Sequence, residues 1–120
     1  MMALVLAALL GAFLSLIGIA LIASPFAAVQ AFGIDPSHMA DIGLAPLMGT
    51  RELAIGLAIV ALAAMRRAGA LGALLLVASI VPVGDYWIAG KAVGYAAAWR
   101  HLATLPFSLV LGLALVGRAS

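Results

Sequence analysis

Cysteine is absent from this 120-residue chain, which excludes disulfides, thiolate metal sites and a cysteine nucleophile together. Charge is nearly as scarce. Asp, Glu, Lys and Arg make up 8% of the residues, six basic and four acidic, for a formal net charge of +2. A soluble domain of this length needs far more charge to cover its surface, so the solvent facing most of the chain must be lipid. The pI of about 9.7 rests on few groups. With no Lys/Arg cluster among them, no nucleic acid is expected as a partner. No phosphate-binding loop, nucleophile elbow or metal motif occurs. Without a pair of ligands at helical spacing, no metal and no other cofactor is expected either.

What is present is apolar: 68% of the residues are hydrophobic and the mean hydropathy is +1.32. A helix needs about 20 mostly apolar residues to cross the hydrocarbon core. Four such runs can be laid out, at about residues 3–29, 47–65, 68–88 and 95–117. The expected fold is a single all-α domain, an integral membrane bundle of four transmembrane helices, because open sheet edges are not tolerated in lipid. The first run resembles a secretory signal in its early part. Its length, the lack of Lys or Arg at its start and Pro25 near the would-be cleavage site argue for a retained span. Gly33 to Pro46 gathers Gly, Pro, Asp, Ser and His as loops do. The pair Arg66-Arg67 opens a tight link, residues 66 to 69, between the second and third spans. Gly11, Gly18, Gly56, Gly69, Gly72 and Gly112 would let helices approach closely. Pro25, Pro82 and Pro106 each remove a helical hydrogen bond, which predicts kinks in the first, third and fourth spans.

Basic residues near span ends favour the cytoplasmic side. Four spans put the N-terminus, Arg66-Arg67 and Arg118 on one side, and Asp35, Asp41 and Lys91 on the other. Both termini are therefore expected in the cytoplasm. Arg51 lies 15 residues before Arg66, Asp85 lies 18 after Arg67, and His101 lies 17 before Arg118. At 1.5 Å per residue, each is roughly 22 to 27 Å from the arginine-bearing side. Arg51, Glu52, Asp85 and His101 thus fall in one layer, near the outer face, on three different helices.

Charges inside spans cost several kcal/mol each on insertion scales and usually face a bundle interior, where they pair. Arg51 with Asp85 is the expected pair. Glu52 points about 100° away around its helix, toward another partner such as His101 or Arg100. His101, Thr104 and Ser108 are spaced three and four apart and make one polar stripe. Arg51, Glu52, Asp85 and His101 are the candidate catalytic residues, and Tyr86, Thr104 and Ser108 the candidate ligand-binding residues. The plainer alternative is interfacial anchoring, which accounts for Arg100, Lys91, Trp87 and Trp99. His38 belongs to the loop. The loop from Gly33 to Asp41 is expected to cover the shared cavity.

The stretches MGTRELAIGLAIV, IVPVGDYWIAG and AAAWRHLATLPFSLVLG resemble a group of small bacterial and fungal membrane proteins, the domain of unknown function 4267 family. In that family an Arg followed by an acid, with a Gly four further on, opens the second helix. A Gly-Asp closes the third, and a His lies early in the fourth. Here those positions are Arg51, Glu52, Gly56, Gly84, Asp85 and His101, over roughly residues 25 to 117. Glu52 departs from the family, where Asp is more usual. The four-helix plan also resembles, more distantly, DoxX-like membrane proteins. Neither resemblance implies a reaction, so function rests on the site.

Three readings stay open. In the first, the polar layer binds a small lipid-soluble ligand. It could also transform that ligand as an isomerase or hydrolase, with Asp85 and His101 as general acid and base and Arg51 stabilising developing negative charge. In the second, the protein is a proton-coupled small-solute transporter. Its charges usually lie nearer the midplane in repeated halves, and four short helices would need a homo-oligomer to enclose a path. In the third, it is an accessory or structural membrane subunit whose polar layer fixes helix packing. The lipid bilayer is a partner in all three.

Overall fold

Runs of Ala, Leu and Gly without charge satisfy their own backbone hydrogen bonds, which is the condition for residing in lipid. The computed structural model describes residues 1–31 and 44–118; 89% of these are helical and no strand occurs among them. The elements are α1 (Met2–Ala23), α2 (Pro25–Ala31), α3 (Leu44–Ala64), α4 (Ala68–Ala78), α5 (Ile80–Val93), α6 (Tyr95–Ala98), a 3-10 turn (Trp99–Leu102) and α7 (Leu105–Val116). Four stretches are long and apolar enough to cross a membrane: Met2–Ala23, Ala45–Ala64, Ala68–Lys91 and Trp99–Val116. The chain is an all-α, multi-pass membrane protein. The loop expected to cover the cavity, with His38, lies outside the described residues.

The prolines do more than bend the spans. The first run was expected to continue to about residue 29, but α1 stops at Ala23 and Pro25 opens α2 as its first residue, the position where a missing N–H costs least. Pro82 cannot bond back to Ala78, the last residue of α4, and the helix resumes as α5 after a turn at Ser79. Pro106 cannot bond back to Leu102, the last residue of the 3-10 turn. The fourth span is consequently not one helix from residue 95 but α6, a 3-10 turn and α7. Both interruptions fall beside the polar layer.

The link between the second and third spans is Met65 to Arg67, and Gly69 lies already within α4. Arg67 N–H bonds to Leu62 O at 3.0 Å and Arg66 N–H to Ala63 O at 3.1 Å. That double bond pattern is a Schellman cap, whose C′ residue is left-handed. Here it is Arg66, at φ 55°.

Small residues set the tightest packing. On α1, Gly11 faces Gly56 of α3, and Gly18 faces Gly49, in antiparallel register. A Cβ on Gly18 would lie 2.6 Å from both Gly49 O and Leu53 N. Such contact holds helices together where lipid removes the hydrophobic drive between them. Gly72 lies against the backbone of Val116, and Gly112 against Leu76, so α4 and α7 form a second close pair. The main apolar core joins both pairs through Ala7, Ile59, Leu71, Leu75, Leu111 and Leu115. A smaller cluster of Leu21, Ala28 and Ala45 lies toward the other end, and the polar layer sits between the two.

Candidate functional site

The site starts from α3. Arg51 is six residues beyond Ala45, so it lies about 9 Å inside the start of its span. Its Nη2 donates to Asp85 Oδ2 of α5 at 2.9 Å and, more weakly, to Glu52 Oε1 at 3.3 Å. Glu52 was expected to find a different partner because neighbours on a helix point apart. The long arginine side chain bridges that angle, and both carboxylates share one guanidinium nitrogen. The network is partly open: the Arg51, Glu52 and Asp85 side chains are 39%, 14% and 18% exposed.

All three side chains line a cavity of about 110 Å³, together with Arg100, His101 and Thr104 among others. Phe13, Leu14, Ile17 and Leu21 of α1 form its apolar wall. His101 is buried within the 3-10 turn. Residues three apart eclipse in a 3-10 turn, which brings Thr104, just past its end, to the same side as His101. A smaller void of about 30 Å³ adjoins through Leu14, Glu52, Pro82 and Thr104.

Two candidates stand apart from this cavity. Tyr86 is not among its lining residues and packs against Tyr95, with ring centroids 5.2 Å apart; one residue on from Asp85, it is turned about 100° away from it. Ser108 lines only the smaller void. Its Oγ lies 2.9 Å from Ser79 Oγ, while Ser79 also donates to Leu75 O at 2.8 Å. Two hydroxyl protons serve three contacts there, so Ser108 donates either to Ser79 or to Leu105 O at 3.1 Å. The pair ties α7 to the break between α4 and α5.

Arg100 lines the cavity as well, with a structural task alongside. Its Nη1 donates to Ala31 O at 2.7 Å, closing the last described carbonyl of α2 with a positive charge, as helix C-termini favour. Its guanidinium lies 5.8 Å from the Trp99 ring, and Lys91 Nζ lies 4.8 Å from the Trp87 ring. Both tryptophans are exposed, so this end of the bundle carries the aromatic and basic anchors of a membrane interface. The α1 wall was missed from sequence because a uniformly apolar helix gives no sign of which face meets a cavity. Gly49 was missed too. Its seven-residue spacing from Gly56, matching that of Gly11 and Gly18, was the available signal.

Fold and site together define a multi-pass membrane protein that keeps a charged, hydrogen-bonded cluster at membrane depth. The profile of the family described as Domain of unknown function (DUF4267) matches residues 11–115, and the chain belongs to that family. No curated protein and no solved structure matches the chain. The more distant DoxX-like resemblance finds no support in these comparisons.

Proposed function

We propose that this protein binds a small lipid-soluble molecule in the cavity beside the Arg51–Asp85 pair, and that Asp85 and His101 are the groups able to exchange protons with it. One observation carries this reading: the charged network opens onto a cavity instead of being sealed by packing. Ionisable side chains at membrane depth that face a cavity commonly mark a substrate or ion site. Irregular backbone at that depth is tolerated where it is buried or lines a cavity, and the 3-10 turn bearing His101 borders this one. Arg66 and Arg67 in one link and Arg118 at the same end favour a cytoplasmic placement for that end, which puts the cavity nearer the opposite face.

A structural reading draws support from Ser79–Ser108, where polar groups do join helices. Lipid extraction and mass spectrometry of detergent-purified protein separate the two readings. One small molecule per chain should be recovered from the parent protein, and it should be depleted in Asp85→Asn and in Thr104→Val. Thr104 makes no ion pair, so the second variant remains informative if the first weakens the fold. Equal recovery from parent and Thr104→Val, with helical circular dichroism intact in both, would sink the binding reading.

A further inference from the structure

The two close helix pairs leave one side of the bundle open. α1 leans on α3 and α7 leans on α4, whereas α1 and α7 touch each other sparsely. Between them runs an apolar groove of about 720 Å³, walled by Leu6, Leu9 and Phe13 on one side and by Phe107, Val110 and Leu111 on the other. The groove and the polar cavity share Phe13, Ala103 and Thr104 as lining residues, so the two adjoin there.

From this adjacency we infer that the ligand is an uncharged single-chain lipid with a compact hydrogen-bonding head, reaching the cavity sideways from the bilayer between α1 and α7. The inference deepens the proposed binding function and rests on it. Direction supports it. From Phe13 back to Leu6, and from Thr104 on to Val110, the groove descends about 10 Å toward the Arg66-Arg67 end. A lipid of the leaflet at the Trp87/Lys91 end already has its chain pointing that way, so it needs no inversion to slide in.

Size and charge limit the head. About 110 Å³ is small beside the 300 Å³ or more typical of drug-sized sites, and it accommodates a hydroxyl, carbonyl or similar group rather than a phosphodiester headgroup. A phosphate would confront the Glu52 and Asp85 carboxylates, and a quaternary amine would confront Arg51. A hydroxyl can donate to a carboxylate and accept from the guanidinium or Thr104. The groove is one inter-helix gap wide, which suits one chain.

The test uses full-length protein in phosphatidylcholine nanodiscs and hexadecanol carrying a diazirine and a terminal alkyne. Photolabelling should map to the peptides bearing Phe13 and Phe107, and should be competed by unlabelled hexadecanol but not by lysophosphatidylcholine. Ala103→Trp, filling the junction, should reduce labelling about tenfold, a loss equal to about 1.4 kcal/mol. Val110→Trp, at an exposed position toward the far end of the groove, serves if Ala103→Trp does not fold. Leu109→Trp, facing the other side of α7, should leave labelling unchanged. Labelling that ignores both groove variants, or equal competition by lysophosphatidylcholine, overturns the sideways route. If Asp85→Asn still depletes the copurified molecule in that case, the binding site stands and only the lipid class and route fall.

Discussion

Gly18→Ala tests the packing that places α3, and its effect can be worked from the contacts. The added Cβ would meet Gly49 O and Leu53 N at 2.6 Å and Leu53 Cα at 2.9 Å, all backbone atoms that no rotamer change can move. Restoring ordinary contact near 3.4 Å needs α1 and α3 to separate by about 0.8 Å, and overpacking of this kind costs roughly 1–3 kcal/mol. Against that, alanine favours the helix over glycine by about 0.8–1 kcal/mol. A net loss of up to about 2 kcal/mol remains. Gly84→Ala is the matched comparison, because a Cβ there meets no described heavy atom within 4 Å and only the propensity gain of up to about 1 kcal/mol applies. The two variants should therefore differ by about 2 kcal/mol, nearly 30-fold in the folding equilibrium. Reversible unfolding in mixed micelles, followed by tryptophan emission or circular dichroism, measures the difference. If Gly18→Ala is as stable as Gly84→Ala, the close approach of α1 to α3 is not what holds that pair together, and the argument fails.

Arg66→Gly should stabilise by about 1 kcal/mol in the same assay, since glycine occupies the left-handed C′ position without the Cβ penalty that arginine meets at φ 55°; no gain would mean the side chain offsets the strain by contacts of its own. Gly94, at φ 94° and ψ 144°, is in a region open essentially to glycine alone, so Gly94→Ala should lose roughly 1–3 kcal/mol; a neutral result would show that the turn between α5 and α6 relaxes freely. Asp85→Asn should cost about 1–2 kcal/mol, below the full worth of a charge-assisted bond because Arg51 is 39% exposed and retains Glu52. A double-mutant cycle with Glu52→Gln should show coupling above ~0.5 kcal/mol, and strict additivity would mean the two carboxylates do not share Arg51 in solution.

The spans and the depth of the charged layer were legible because lipid makes both expensive to disguise: an apolar run must be long enough to cross, and a charge within it needs a partner at its own level. Arg51 and Asp85, 34 residues apart, could be paired from depth alone for that reason. Depth says nothing of direction around a helix axis, and that is where reading stopped. Glu52 was assigned a partner from the angle at its Cα, which ignored the reach of the arginine next to it. Tyr86, a candidate ligand-binding residue, lies against Tyr95 and outside the cavity lining. The prolines signalled three disruptions but not that α6, the 3-10 turn and α7 are separate pieces, because a missing hydrogen bond permits a bend, a break or a rewound turn.

The two faces of α3 explain why a close seam and an open charged site occur in one short bundle. Gly49 and Arg51 are two residues apart and so point about 200° apart around the helix axis; one presses on α1 while the other reaches across to Asp85. Drawing α3 against α1, with α7 held to α4 by Gly72 and Gly112, concentrates close packing in two pairs and leaves the space between them only partly filled. At the arginine-bearing end, Leu71, Leu75, Leu111 and Leu115 fill that space. At the other end, the third span is interrupted at Ser79, between α4 and α5, and the fourth span passes through a 3-10 turn before α7. What remains there is a gap bordered by Arg51, Asp85, His101 and Thr104. The polar residues therefore border an unfilled space while α1 and α3 stay in close contact at the same level, through Gly18 against Gly49 and Leu53.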